Sequence, residues 1–246
     1  MNFPQANILG CKLHLASMEQ CLNSIAAYIE SQKTVHVITL NAEIVYRARS
    51  NPALQKIINE ADLVTADGIG VVWGARFLGY AVPERVTGID LMLALAARSA
   101  QEGWPLYLLG AAPGVADEAA RMLHKRYPGL SVCGLRDGYF TPEQVPAIIA
   151  DINKSSPQIL FVALGAPKQE FWIREHCGDL AAAVHIGVGG SLDVVAGIKK
   201  RAPAFFIKLN LEWLYRLLTE PSRFKRQLIL PLFVISVIRE RMKRSL

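Results

Sequence analysis

No D-x-D dyad occurs anywhere in these 246 residues, and neither H-E-x-x-H, G-x-S-x-G nor C-x-x-C is present. The usual acidic anchor for a metal-bound nucleotide sugar is therefore missing, as are the familiar nucleophile and zinc motifs. Cysteine is scarce: Cys11, Cys21, Cys133 and Cys177 form no close pair and have no clustered histidines. Neither a disulfide scaffold nor a zinc knuckle is indicated, and a reducing compartment is the default. Long apolar runs are lacking too. The longest, Leu228 to Ile238, is broken by Pro231 and Ser236, whereas a membrane-crossing helix needs about 20 such residues, so no transmembrane helix is expected. Ile8-Leu9-Gly10-Cys11 looks superficially like a lipoprotein cleavage box, but the residues before it have neither a basic start nor an apolar run.

What is present is a globular composition, 52% apolar and 20% charged, long enough for one large domain or two small ones. The net charge of +6 is unevenly placed. Residues 1–198 carry 15 Lys and Arg against 18 Asp and Glu, while residues 199–246 carry 12 against 3. An evenly basic surface of the kind that coats nucleic acid is disfavoured, and no nucleic-acid partner is expected. A near-neutral body with a cationic end suggests an anionic surface or ligand met at one place.

Strand and helix patterns alternate along the body. Val35 to Leu40 is a β-branched run that feeds a stretch with Ile44, Val45 and Ala48 at helical spacing. Leu63-Val64-Thr65 ends at Ala66-Asp67-Gly68, and Leu106 to Leu109 runs through Gly110-Ala111-Ala112-Pro113-Gly114 into a helical period that stops at Pro128-Gly129. Ile159 to Leu164 and Val184 to Gly187 are further strands, and Thr141-Pro142-Glu143 reads as a helix start. This order predicts an α/β fold, a mostly parallel sheet with helices on both faces. Such sheets bind ligands at the carboxyl ends of their strands, which would bring Thr39, Asn41, Asp67, Gln169 and Asp193 to one edge. Gln101-Glu102-Gly103 is the place for a subdomain border near residue 100, if there is one.

The last part of the chain differs, giving a division into a body of residues 1–200 and an appendage of 201–246. Phe205 to Leu218 is amphipathic and aromatic, Pro221 can open a fresh helix, and Arg223 and Arg226, three apart, share a face. Apolar residues bracketed by cations fit helices lying in a membrane interface beside lipid phosphates. An oligomerisation helix, or a core helix with a solvated basic end, fits the same pattern.

Several polar loops can carry chemistry, each with a plainer alternative. Gly187-Val188-Gly189-Gly190 followed by Asp193 lets a ligand approach the backbone and offers a carboxylate to a ribose or base, or is a tight structural turn. Asp67 before Gly68-Ile69-Gly70 is a carboxylate held at a cleft, or a turn-forming Asp-Gly. Arg85-Val86-Thr87-Gly88-Ile89-Asp90 surrounds a glycine with a cation, a hydroxyl and a carboxylate, or is an Arg85–Asp90 structural pair. Gly165-Ala166-Pro167-Lys168-Gln169-Glu170 is a loop that grips a polar ligand or an ordinary helix start, and Gly110 to Gly114 is a phosphate loop or a plain turn.

Taken in order, Asn41-Ala42-Glu43, Ala66-Asp67-Gly68-Ile69-Gly70, Arg85 to Asp90, Asp137-Gly138-Tyr139-Phe140, Gly165 to Glu170, Gly187 to Gly190 and Leu211-Glu212-Trp213-Leu214-Tyr215-Arg216-Leu217 resemble the WecG/TagA/CpsF glycosyltransferase family over nearly the whole chain. The resemblance implies a Rossmann-like α/β fold distinct from the two common nucleotide-sugar transferase folds, with a helical C-terminal appendage that completes the active site at the membrane. It implies an inverting transferase, with no metal or other cofactor, that moves a sugar such as N-acetylmannosamine from a UDP-sugar to an undecaprenyl-diphosphate-linked acceptor. The setting it implies is cell-surface polysaccharide or teichoic acid synthesis at the inner face of the cytoplasmic membrane. On this resemblance Asp67 is the catalytic base, with Thr39, Asn41, Arg85 and Gln169 beside it. Asp193 and the glycines Gly187, Gly189 and Gly190 meet the nucleotide, and Arg216, Arg223 and Arg226 reach the diphosphate. One departure is Asn210, where the family's tail motif usually begins with glycine. A tail that leaves the membrane has to hide its apolar face, and a reversible homo-oligomer is one means. The rival reading is a non-catalytic membrane-surface adaptor that binds a nucleotide as a regulatory ligand.

Overall fold

The computed structural model describes residues 3–220 and 228–244. The chain opens with a hairpin of β1 (Gln5–Ile8) and β2 (Cys11–His14), joined by Leu9 and Gly10, both at positive φ as in a type I′ hairpin turn. There follow α1 (Met18–Glu30), β3 (Val35–Leu40), α2 (Ala42–Ala48), α3 (Pro52–Glu60), β4 (Leu63–Ala66), α4 (Ile69–Phe77) and α5 (Gly88–Glu102). Next come β5 (Leu106–Gly110), α6 (Val115–Arg126), β6 (Val132–Arg136), a 3-10 turn (Pro142–Gln144), α7 (Val145–Ser155), β7 (Ile159–Ala163), α8 (Lys168–His176), β8 (Val184–Gly187) and α9 (Ser191–Val195). The tail adds α10 (Ala204–Lys208), α11 (Glu212–Thr219) and α12 (Ile229–Arg244). The hairpin, α1, α3, α5 and α9 went unread in the sequence.

Strands β3 to β8 form one parallel sheet in the order β4-β3-β8-β7-β5-β6. The expected α/β architecture is therefore the observed one. Burial on both faces explains why β3, β4, β5, β7 and β8 are solidly buried while only the edge strand β6 is half-exposed. Alternate side chains go to opposite cores. Val35, Val37, Val184 and Ile186 face Ile25, Leu91, Leu95 and Leu192, whereas Ile38, Leu40 and Val64 face Ile44, Val45, Leu54 and Val72. Residue 100 falls within α5, and strands from either side of it share the sheet.

Two adjacent strands set the site. After β3 the chain enters α2 on one face, while after its neighbour β8 it enters α9 on the other, as the cores of Ala42, Ile44 and Val45 against Leu192 and Ala196 show. Connections that diverge from adjacent parallel strands leave a crevice at their carboxyl ends.

The tail lies across that end of the sheet. In α12, Phe233 and Val237 are buried against α2 and α4, and a Cβ at Gly74 would stand 3.0 Å from the Phe233 ring. Arg49 Nη1 donates to Ser236 Oγ at 2.6 Å, and Arg244 donates to the Tyr80 hydroxyl and the Asn7 carbonyl. The opposite side of the same helix exposes Leu232, Ile235, Ile238 and Met242, with Leu228 just ahead. Among the described residues no helix is long and apolar enough to cross a membrane. Asn210, the departure from the family's glycine, sits at φ 59 between α10 and α11. Asparagine is among the non-glycine residues that tolerate this left-handed conformation best, so the exchange preserves the turn.

Candidate active site

A cavity of about 780 Å³ opens at the carboxyl ends of β3, β4 and β8 and is lined by Thr39, Asn41, Asp67, Arg85, Gln169, Gly189 and Gly190. The tail supplies another wall, with Asn210, Glu212, Trp213, Leu217, Leu230 and Phe233. Body and appendage thus meet at one place, and most residues singled out in the sequence are there.

Asp67 follows directly on β4, its backbone N–H bonded to the Leu40 carbonyl at 2.9 Å. The next residue, Gly68, has φ 88, a backbone turn suited to glycine, and it carries the chain into α4. The Asp67 carboxylate is met by the backbone N–H of Gly88, 3.4 Å from Oδ2, so the amino end of the 15-residue α5 faces it. That end carries partial positive charge. A side chain at 88 would crowd this contact, since a Cβ would lie 3.1 Å from Thr39 Oγ1 and 3.6 Å from Asp67 Oδ2.

Thr39 and Asn41 flank the end of β3. The Thr39 hydroxyl donates to the Gly187 carbonyl at 3.1 Å and so ties β3 to β8 beneath the cavity. Asn41 caps α2 by accepting from the Ile44 N–H at 3.0 Å, which occupies its oxygen and turns the amide group to other partners. Both ends of the Gln169 carboxamide are engaged: Oε1 accepts from Gly189 N–H at 3.0 Å, and Nε2 donates to Glu170 Oε1 at 2.9 Å. Glu170 is buried, and burial pushes its carboxyl up to about 7 against the opposing effect of the Gln169 hydrogen bond.

Ion pairs bind the tail to this edge. Arg85 Nη1 is 2.7 Å from Glu212 Oε2, and both side chains are largely buried. Asp90 accepts from Thr87 at 2.6 Å and pairs with Arg201. The Arg85–Asp90 pair entertained from the sequence is therefore corrected: each residue instead finds a partner among residues 201–246. Asp193 is ion-paired to Lys199 at 3.2 Å, and neither it nor Gly187 lines the cavity. Gly187 instead lies under Gln169, where a Cβ would come within 2.5 Å of Nε2. Arg216 is on α11 one turn after Glu212, but only its backbone is described, and Arg223 and Arg226 lie outside the described residues. The Gly110 to Gly114 segment forms the turn between β5 and α6, with Asp117 and Glu118 in the first turn of that helix. An acidic helix start does not favour a bound phosphate.

The family model for the WecG/TagA/CpsF glycosyltransferases matches residues 6–246. The chain belongs to this glycosyltransferase family. Among its relatives, an N-acetylglucosaminyldiphosphoundecaprenol N-acetyl-beta-D-mannosaminyltransferase of Bacillus spizizenii is 38% identical over 86% of this chain and 82% of its own length. A protein of the same description from Staphylococcus aureus is 36% identical over 98% of this chain and 95% of its own. As a member of the WecG/TagA/CpsF family, the chain carries its motifs in structurally meaningful places. Ala66 to Gly70 and Arg85 to Asp90 meet at the Asp67–Gly88 contact, and Gly165 to Glu170 meets Gly187 to Gly190 through Gln169. Glu212, Trp213 and the Gly88 N–H were missed as site groups, although the first two lie inside the quoted tail motif. Their part in the site depends on where the tail folds back, which local spacing does not record.

Proposed function

We propose that this protein is an inverting, metal-independent transferase that moves an N-acetylmannosamine-like sugar from a UDP-sugar to an undecaprenyl-diphosphate-linked acceptor. The product would serve cell-surface polysaccharide or teichoic acid synthesis. Support comes from the family and from the named relatives, together with one observation that carries the reading. The candidate base Asp67 shares a single cavity with Thr39, Asn41, Arg85, the glycine turn and the tail.

In this reading the Asp67 carboxylate accepts the proton of the acceptor hydroxyl as its oxygen attacks the anomeric carbon. The bond from that carbon to the β-phosphate oxygen breaks on the opposite face, UDP leaves with the electron pair, and the configuration inverts. Arg85, with Arg216, Arg223 and Arg226 of the tail, meets the charge gathering on the diphosphate. The turn at Gly189 and Gly190 approaches the nucleotide, and Thr39 and Gln169 hold the cavity floor. Asp193, whose Oδ2 holds Lys199, meets the ribose or base.

Residues 1–200 would form the catalytic body and 201–246 an appendage that seats the enzyme on the inner face of the cytoplasmic membrane. The exposed apolar row on α12 supports this placement, and a reversible oligomer would cover that row away from the bilayer. A UDP-release assay across UDP-sugars with a lipid-diphosphate acceptor tests the reading. Acceptor-dependent release that persists in chelator supports it. Nucleotide binding without release would instead leave the adaptor, and release that requires a divalent cation would remove the metal-free mechanism.

A further inference from the structure

Glu170 is an expensive residue for its position. Its side chain is 1% exposed, and Oε2 has no hydrogen-bond partner among the described residues. A carboxyl buried in this way costs stability that an apolar residue of similar length would not. Its one hydrogen bond to another side chain is short, Oε1 accepting from Gln169 Nε2 at 2.9 Å, beside a contact with its own backbone N–H. The far end of the same Gln169 carboxamide accepts from Gly189 N–H at 3.0 Å. Only the oxygen of an amide can accept from a backbone N–H, and only its nitrogen can donate to a carboxylate, so the two bonds fix which way the carboxamide points. Glu170, Gln169 and Gly189 therefore form a directed chain from the buried start of α8 to the cavity wall, and Gly187 leaves the space through which it runs.

We infer that Glu170 is a positioning residue, whose buried carboxyl orients the Gln169 carboxamide so that Gln169 holds the Gly189 turn in the form that receives the nucleotide. This rests on the proposed UDP-sugar reading, and it assigns the stability cost at Glu170 to ligand binding rather than to folding.

The test uses the full-length chain, with UDP as the probe. Glu170→Met removes the acceptor and keeps the length, while Glu170→Gln retains an acceptor oxygen for Gln169. At pH 8 the melting temperature of Glu170→Met is expected to equal or exceed that of the parent, while UDP affinity falls about tenfold, the order expected for losing a hydrogen bond to a charged group. Glu170→Gln is expected to bind UDP within about threefold of the parent. Hydrogen exchange at the Gly189 amide, measured without ligand, should speed up in Glu170→Met and not in Glu170→Gln. A Glu170→Met protein that melts well below the parent would make the residue structural and overturn the inference. So would unchanged Gly189 exchange. Gly187→Ala gives an independent arm, because its Cβ would displace the Gln169 amide while position 170 keeps its carboxyl. It should loosen the Gly189 amide likewise, and full protection there would also overturn the inference. If the parent chain does not bind UDP, the donor reading fails while the exchange measurements still decide the brace.

Discussion

Arg85 Nη1 and Glu212 Oε2 stand 2.7 Å apart, joining the loop before α5 to the first turn of α11 at the rim of the cavity. With Asp90–Arg201 this makes two ion pairs that fasten the tail to the body. Glu212 has two effects that pull in opposite directions. It pairs α11 with the cavity rim, and it neutralises the Arg85 charge that the proposed mechanism assigns to the diphosphate.

Glu212→Gln should separate those effects. Removing the charge leaves Arg85 more available, so UDP binding stays equal or tightens, while poorer seating of α11 lowers turnover by about tenfold, an outcome that places the loss in kcat rather than in ligand binding. Isothermal titration with UDP and steady-state transfer rates check the split. A double-mutant cycle with Arg85→Ala should show a coupling of about 1 kcal/mol or more in denaturant unfolding, as direct neighbours commonly do.

Asp67→Asn tests the base. The Gly88 N–H that meets its carboxylate is still satisfied by the amide oxygen, so the melting temperature should shift by only a few degrees. Transfer should fall by about a hundredfold to ten-thousandfold, the contribution typical of a positioned general base. Circular dichroism melting and a radiolabelled transfer assay measure the two together. Turnover within about tenfold of the parent would remove Asp67 from that role.

Much of the frame was legible because buried parallel strands advertise themselves. Val35 to Leu40, Ile159 to Leu164 and Val184 to Gly187 are apolar runs bounded by turn residues, and their carboxyl ends had to share an edge. Asp67, Thr39, Asn41 and Gln169 were reachable by that argument alone, which also named Asp193, a residue outside the cavity lining. The hairpin at Gln5–His14 was not, since its strands have only four residues each and its turn puts a leucine at positive φ, where asparagine or glycine would have signalled it. The partners of Arg85 and Asp90 were illegible for another reason. The sequence offers the two to each other five residues apart, and only the return of the tail gives each a better-placed counterion.

Three buried histidines are expected to weaken the fold in acid. Burial, with Lys12 nearby, pushes His14 down to about 4. Burial and the neighbouring His185 push His36 down to about 3, and burial pushes His185 down to about 4. Each is depressed below its unfolded value, so each contributes stability that is complete above about pH 6.5 and is lost as pH falls toward the folded value. Glu170 is raised and works the other way: its contribution is present below the unfolded carboxylate value and is lost as pH rises through about 7. Three groups outweigh one, so unfolding free energy should drop between pH 6.5 and pH 4. His185→Gln should lessen that slope by about 1.4 kcal/mol per pH unit, one proton's worth. Urea titrations at several pH values provide the check.

The last helix presents two apolar sides, and only one is used within the chain. Phe233 and Val237 are sealed against α2 and α4, while Leu232 and Ile235 remain 45% and 46% exposed on the other side, with Arg239 and Lys243 exposed farther along. A bilayer with anionic lipids matches this mixture, because apolar side chains enter the acyl boundary while cations stay among the phosphates. The double substitution Leu232→Asp, Ile235→Asp should weaken binding to phosphatidylglycerol vesicles by about a hundredfold or more, given about 1.5–3 kcal/mol for burying each such side chain. It leaves the Phe233 contact intact, so the melting temperature and transfer to a short-chain acceptor analogue should hold. Gel filtration of both proteins without lipid separates the alternative: if the exposed row instead serves self-association, the substitutions will abolish a concentration-dependent oligomer and leave vesicle binding untouched.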